Sequence, residues 1–368
     1  MHLGILGGGQ LGRMLAQAAA RLGVRCRVFD ESPDACAGHL AELCVGQYND
    51  LARLDHFAAD LDAITYEFEN VPVAAAEHLA KRVRCSPQPG ALHVCQDRLL
   101  EKQLFQRLGV GTAAFATIDA QPDLDAALQS IGLPAVLKTR RLGYDGKGQA
   151  VIRSVAEARH AFTTLGSGRQ ALIYEAFVPF SRELSILALR RHQGQTAFYP
   201  LTENHHAHGI LRVSRAPAPH LTPALTHQAQ RTAAVCLQAM DYVGLLAIEF
   251  FEVEGQLLAN EMAPRAHNSG HWTIDGSQTS QFENQIRAVL DWPLGPTNPI
   301  GFAGMLNLIG DHPPIESLLA IPHTHVHLYG KSPRPGRKIG HINLRTDSAA
   351  QLDLAIAQSS ALIEPYAS

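Results

Sequence analysis

The sequence predicts an α/β chain, an open parallel sheet followed by smaller α+β segments. Three observations carry that reading. Residues 1–96 alternate strand, glycine turn, helix and strand. Residues 113–175 hold four short strand patterns around one helix. Residues 245–262 read as a hairpin with a glutamate on each arm.

Residues 3–6 form a short apolar strand, and G-G-G-Q-L-G follows at 7–12. A helix then runs to Leu22, with Leu11, Leu15, Ala18 and Leu22 on one face and Gly23 as its stop. The strand C-R-V-F-D ends at Asp30, and A-I-T-Y-E ends at Glu67. This punctuation places an N-terminal α/β domain at 1–96. Asp97 is suited to cap a helix carrying Leu100, Leu104 and Leu108 before Gly109. It opens a region, 97–175, with strands at 115–118, 134–139, 149–152 and 171–175 and a helix over 154–165, a small lid. Residues 176–292 hold further strands, a helix near 226–240 and the glutamate hairpin. A last segment, 293–368, starts Pro- and Gly-rich and ends in an amphipathic helix near 348–361.

The bulk properties narrow the class. A chain of 368 residues with a 46% hydrophobic fraction is expected to build more than one core. Its net charge of −3, with both signs dispersed, predicts no nucleic-acid partner. The six cysteines form no C-x-x-C pair, which points to reduced thiols. No apolar run reaches the roughly 18 residues of a membrane span, and no basic leader precedes the first strand. The expectation is a cytoplasmic enzyme of small molecules.

Glu249 lies in the apolar run L-L-A-I-E-F-F, where a carboxylate is costly unless a cation or hydrogen bonds hold it. If the hairpin centres on Gly255, Glu249 and Glu261 stand opposite each other, their Cβ atoms about 5 Å apart. A divalent cation would relieve that repulsion, and hard oxygen ligands favour magnesium, with manganese as the alternative. A one-residue slip would turn Glu261 to the other face. The plainer reading is a solvated hairpin. The stretch N-E-M-A-P-R-A-H-N-S-G-H-W at 260–272 is polar enough to read a small anion.

Gly7-x-Gly9-x-x-Gly12 with Asp30 satisfies a dinucleotide fingerprint, so a nicotinamide oxidoreductase is one alternative. Gln10 and Leu11 are unusual in a pyrophosphate turn and suggest a polar substrate there. Lys138 ends the strand L-P-A-V-L-K and precedes the glycine loop G-Y-D-G-K-G-Q at 143–149, a device for nucleotide phosphates that is not a Walker loop. A hairpin turn with a surface lysine would look the same. Glu175 ends a strand that exits into an extended linker, and Glu183 follows in S-R-E-L-S. N-H-H-A-H-G at 204–209 invites a zinc reading, discounted because 19 histidines cluster by chance and the spacing lacks a third ligand on a helix. Lys331, Arg334, Arg337 and Lys338 occupy a Pro/Gly-stiffened loop suited to a phosphate monoester, or to solvent.

Taken in order, Lys138, the 143–149 loop, the Glu175 linker, Glu249 and the 260–273 stretch resemble the ATP-grasp carboxylate–amine ligases, over essentially the whole chain. G-G-G-Q-L-G-R-M at 7–14, T-Y-E-F-E-N-V-P at 65–72 and R-P-G-R-K-I-G-H-I-N at 334–343 resemble the branch that carboxylates an aminoimidazole ribonucleotide. Lys147 stands where arginine is common in the family, and His208 where an acidic residue is expected. The resemblance implies an ATP-grasp fold with an N-terminal pre-ATP-grasp α/β domain, a small lid and a C-terminal substrate-binding segment. It implies that Arg98, Lys138 and the loop residues Gly143, Tyr144, Asp145, Gly146, Lys147, Gly148 and Gln149 hold the ATP phosphates. Glu175, Ala176, Phe177 and Val178 would frame the adenine, Glu183 the ribose, and His206 would touch the nucleotide. Glu249 and Glu261 would carry magnesium with Asn260 beside them. Arg265 and His267 would place bicarbonate, with Lys138 adding charge. Gln10, Leu11, Glu67 and Asn268 would face the ribonucleotide, and Lys331, Arg337 and Lys338 its 5′-phosphate. The implied reaction forms carboxyphosphate from ATP and bicarbonate and carboxylates the amine, with His267 the nearest candidate by sequence for taking a proton. The implied assembly is a homodimer. A sister ligase using formate or another acyl donor, and a non-catalytic nucleotide sensor, are the remaining alternatives.

Overall fold

The computed structural model describes residues 1–143, 146–166 and 171–367. Tyr144 and Asp145, both expected at the nucleotide, lie outside the described residues. Among the described residues the strands form three sheets.

The first sheet is parallel, ordered β3-β2-β1-β4, from β1 (His2–Leu6), β2 (Arg25–Asp30), β3 (Glu42–Val45) and β4 (Ala63–Tyr66). Helix Gln10–Arg21 covers one face with Leu11, Met14 and Leu15, and helices Leu51–Ala58 and Val73–Ala80 cover the other. Gly23 ends the first helix's turn with φ +70°, a conformation open to glycine at no steric cost.

The second sheet is the lid, antiparallel and ordered β5-β8-β6-β7, from β5 (Phe115–Ile118), β6 (Ala135–Thr139), β7 (Gln149–Ile152) and β8 (Leu172–Ala176). Helices Gln121–Ser130 and Val155–Leu165 pack on one small core with Ile118, Leu137 and Leu172. The described part of the glycine loop joins β6 to β7.

The third sheet has nine strands: β9 (Arg182–Arg190), β10 (Thr196–Phe198), β11 (Thr202–Ala207), β12 (Ile210–Ala216), β13 (Gly244–Val253), β14 (Gln256–Ala263), β15 (Phe302–Gly310), β16 (Thr324–Leu328) and β17 (Arg334–Thr346). Its order is β14-β13-β9-β11-β12-β15-β17-β16, with β10 pairing β9. Strand β9 is apolar in both registers because both faces are covered. Leu184, Ile186 and Ala188 enter the core under helix Pro223–Ala239, and Leu187 and Leu189 enter the opposite one.

Two details differ from the sequence reading. The hairpin turn has two residues, Glu254 (φ 49°) and Gly255 (φ 75°), both left-handed as a type I′ turn requires. Its centre is therefore half a residue before Gly255, which pairs Phe250 with Ala259. A bulge at the next step lets Glu249 pair with Glu261 all the same. The helix capped by Asp97 (Arg98–Arg107) buries Glu101 and Lys102 beside Leu104 and Phe105, so its inner face is charged as well as apolar.

Candidate active site

The three sheets meet around a cavity of about 830 Å³. Its wall takes Gln10 and Glu67 from the N-terminal sheet, Lys138 and Gln149 from the lid, Glu249 and Glu261 from the hairpin, and Lys331 and Lys338 from the C-terminal segment. Four stretches far apart in sequence thus face one space.

The N-terminal glycine turn is closed from within. The amides of Gly9 and Gly12 donate to Glu67 Oε1 and Oε2 at 3.1 and 3.0 Å. The Gly8 amide donates to Asp30 Oδ2 at 2.6 Å. An added Cβ on Gly9 would lie 2.4 Å from Glu67 Oε1, so glycine is required by the protein's own carboxylate. The amide cradle that a dinucleotide pyrophosphate would occupy at this helix start is already filled by the Glu67 carboxyl group. Burial pushes the Glu67 carboxyl up, opposed by the Gly12 amide and Lys331. Gln10 accepts a hydrogen bond from Lys331 Nζ, tying the turn to the basic loop.

At the other end of the cavity, Lys138 Nζ lies 3.1 Å from Glu175 Oε2, and Lys102 Nζ lies 3.3 Å from the same oxygen. Burial pulls Lys138 down, partly offset by Glu175. Burial opposes ionisation of Glu175, but Lys138, Lys102 and Arg98 together bring it down to about 2. Arg98 Nη1 donates to Glu261 Oε2 at 2.7 Å. Behind this pair Glu101 accepts the Met262 amide, and burial and then Glu261 raise it to about 8. Lys138 and Arg98 line the cavity, and buried Lys102 does not.

Across the hairpin, burial and then Glu261 raise Glu249 to about 7. Glu261 is held down, burial being outweighed by Arg98. Asn260 Oδ1, in the bulge between them, is buried without a hydrogen-bond partner. Two carboxylates and an orphaned amide oxygen fit a hard divalent cation. Among the described residues no group of three His, Cys, Asp or Glu has a metal-holding arrangement.

Between the two ends, Arg265 Nε donates to Glu69 Oε2, and Arg265 Nη1 to Ala266 O at 3.0 Å. The Glu69 carboxyl is lowered, its burial outweighed by Arg265. His267 Nε2 lies 3.5 Å from Glu249 Oε1. Burial, then Arg265, push the imidazole down to about 3, so the ring is neutral. Asn268 exchanges two hydrogen bonds with Asn307, at 3.0 and 2.7 Å. A bulge between His205 and His206 on β11 accompanies the pairing of His206 Nδ1 with Glu183 Oε2 at 2.6 Å. His205 is exposed and His208 sits in the turn at φ 53°, so the three histidines do not converge.

The cavity wall also takes Leu11, Gly143, Gly146, Lys147, Phe177 and Arg337. Gly148, Glu175, Ala176 and Val178 are off it. Glu175 departs most from expectation. The residue is 3% exposed and its carboxylate is turned to the two lysines, because an ionised carboxylate at that depth needs counter-charge. Lys102, Glu101, Glu69 and Asn307 were not expected at the site. Each is polar in a segment whose spacing reads as an ordinary helix, loop or strand, and Lys102, five residues after Asp97, falls opposite the Leu100, Leu104 and Leu108 stripe, so no local pattern marked it.

Three family models match the chain: a ribonucleotide synthetase pre-ATP-grasp domain over residues 1–96, an ATP-grasp domain over 103–282, and a phosphoribosylaminoimidazole carboxylase C-terminal domain over 303–354. The chain is 49% identical over 364 residues to the N5-carboxyaminoimidazole ribonucleotide synthase of Pseudomonas aeruginosa, covering 99% of this chain and 100% of that one. It is 46% identical over 345 residues to the enzyme of the same name from Brucella melitensis, covering 92% and 95%. Among solved structures it superposes on N5-carboxyaminoimidazole ribonucleotide synthetase from Thermus thermophilus with a TM-score of 0.94 and 53% identity, covering 98% of each chain. The Aspergillus clavatus enzyme in complex with ADP and 5-aminoimidazole ribonucleotide gives a TM-score of 0.92 at 28% identity, covering 99% and 98%.

Proposed function

The chain belongs to the N5-carboxyaminoimidazole ribonucleotide synthase family of ATP-grasp ligases, and we propose that the cavity between its sheets holds ATP, bicarbonate and 5-aminoimidazole ribonucleotide together. It is an ATP-dependent ligase that carboxylates the ribonucleotide in purine biosynthesis. The observation that carries the division of labour is the layout of charge: a lysine and arginine cluster at one end, a basic loop at the other, and Arg265 with His267 between.

Lys138, Arg98 and the described part of the 143–149 loop hold the triphosphate. Phe177 lines the adenine end, and Glu183 with His206 the ribose. Glu249, Glu261 and Asn260 would hold magnesium, or manganese in its place, which when bound neutralises phosphate charge. Arg265 and His267 orient bicarbonate. Gln10, Leu11, Glu67 and Asn268 face the aminoimidazole, and Lys331, Arg337 and Lys338 its 5′-phosphate.

A bicarbonate oxygen attacks the γ-phosphorus, the bond to the bridging oxygen of ADP breaks, and carboxyphosphate forms. The 5-amino nitrogen then takes the carboxyl carbon, directly or as released CO₂. The carbon–oxygen bond to phosphate breaks and the amine loses a proton. Phosphoryl transfer asks the protein for alignment and fixed positive charge rather than covalent help, which Lys138, Arg98 and Arg265 supply. Carboxyphosphate is labile in water, so closure of the lid over the cavity shields it. The reading includes a cytoplasmic homodimer; among the described residues no helix is long and apolar enough to cross a membrane.

The deciding experiment is ADP release with bicarbonate and ribonucleotide each omitted in turn. ADP release that needs both supports the reading. Full activity in bicarbonate-depleted buffer would move the chain to a sister ligase with another acyl donor.

A further inference from the structure

A row of buried polar side chains runs through the third sheet to His267. Ser214 Oγ on β12 donates to Asn204 Oδ1 on β11 at 2.8 Å, and Asn204 Nδ2 donates to Ser185 Oγ on β9 at 2.9 Å. Ser185 Oγ donates to Ser269 Oγ at 2.8 Å, and Ser269 Oγ lies 2.8 Å from His267 Nδ1. Ser214, Asn204, Ser185 and Ser269 are 0%, 5%, 1% and 0% exposed, so the row satisfies itself without bulk water.

The donor sense of the row follows from its end. The Ser269 amide N–H also points at His267 Nδ1, at 3.4 Å, so that nitrogen presents its lone pair. The Ser269 hydroxyl must then donate to Nδ1, and its own lone pair receives the hydroxyl of Ser185. Ser185 in turn receives the Asn204 amide. Every bond then runs the same way, toward Nδ1, with the sense set at the His267 end by the Ser269 amide. With the Nδ1 lone pair taken, the ring proton sits on Nε2, the nitrogen that lies 3.5 Å from Glu249 Oε1 on the cavity side.

We propose that Ser214, Asn204, Ser185 and Ser269 form a positioning row that holds His267 as its Nε2–H tautomer, so that it donates a hydrogen bond to bicarbonate and does not act as a base. This rests on the reading of His267 as a bicarbonate-facing residue. An Nε2 that already carries a proton has no lone pair with which to take one from the substrate. The amine's proton leaves by another route, and His267 instead steadies negative charge on the oxygens of bicarbonate and carboxyphosphate. Ser269, Ser185, Asn204 and Ser214 act only through His267 and are positioning residues.

The test is ¹⁵N-histidine labelling of the whole chain without substrates, the His267 signals being identified by their loss in His267→Gln. Wild type is expected to show Nε2 protonated and Nδ1 bare. In Ser269→Ala both tautomers should appear. In Asn204→Asp the new carboxylate accepts from both serines and takes the Ser185 hydroxyl away from Ser269, so the Nδ1–H tautomer should gain population over wild type. Each variant should lose about tenfold in kcat with KM for ATP unchanged, the size of effect seen when the partner that orients a site histidine is removed. A wild-type Nδ1–H tautomer, a changed tautomer with unchanged kcat, or a lost kcat with unchanged tautomer would each overturn the proposal. If Asn204→Asp does not fold, Ser269→Ala decides alone. Failure of the underlying reading would show separately, as bicarbonate-independent ADP release by wild type, whatever the tautomer spectrum reports.

Discussion

Glu261 stands opposite Glu249 because Asn260 is bulged out of the ladder between β13 and β14. Up to that point the two-residue turn pairs Phe250 with Ala259, and Leu257 and Ala259 point into the core. Beyond it Met262 takes the core position instead. A strand without the bulge would send Glu261 to the side of Leu257 and Ala259, since side chains alternate. One extra residue therefore moves a carboxylate from the core to the cavity and leaves the amide oxygen of Asn260 unpartnered beside it.

Glu261→Gln keeps the shape and removes the charge that faces Arg98 and Glu249. Turnover in the ADP-release assay is expected to fall about 10²-fold or more, as when a preorganised electrostatic group is lost. Wild-type turnover would mean that the paired glutamates hold nothing the reaction needs.

Glu69→Gln loosens the guanidinium of Arg265 without removing it. The expected outcome is a rise of about tenfold in the apparent KM for bicarbonate with that for ATP unchanged. An unchanged bicarbonate KM would detach Arg265 from that substrate.

Lys338→Ala is expected to raise the apparent KM for the ribonucleotide about tenfold, since one charge-assisted contact to a phosphate is lost. An effect confined to the KM for ATP would assign the basic loop to the other substrate.

The Gly9 and Gly12 amides are occupied by Glu67, so NAD should leave the melting temperature unchanged. ATP with magnesium at 100 times its Kd should stabilise the fold by about 2.7 kcal/mol. The reverse pattern in a thermal melt would restore the oxidoreductase alternative.

His341 is fully buried, its Nδ1 is 2.7 Å from Tyr329 Oη, and burial, then His271, hold its pKa well below 6.5. The unfolded chain thus binds a proton below 6.5 that the folded chain refuses, so this group's contribution is complete above that pH and falls as pH drops through it, by up to about 1.4 kcal/mol per pH unit. Buried Glu101, raised to about 8, works in the opposite direction, so a bare pH profile does not isolate the histidine. The comparison that does is wild type against His341→Gln. Their stability difference by denaturant titration should shift against wild type between pH 6.5 and 5, and a pH-independent difference would show that His341 titrates normally.

What the sequence determined by itself was local. The period of apolar residues in 10–22, 154–165 and 348–361 yields helices at Gln10–Arg21, Val155–Leu165 and Ala349–Ile363, and the glycine punctuation yields the parallel sheet, because helix and strand spacing act within a few residues. The paired glutamates, Lys138 and the basic loop were legible as charges set in apolar or stiffened segments. Tertiary structure alone decided which of those charges meet. Glu67 fills the amides of a turn 55 residues earlier in the chain, and Lys331 reaches Gln10 across 321 residues. Lys102 and Glu101 are buried because the lid and hairpin close over a helix face that spacing reads as half solvated. Burial and counter-charge are properties of the assembled interior, where a carboxylate's cost depends on neighbours that no local pattern encodes.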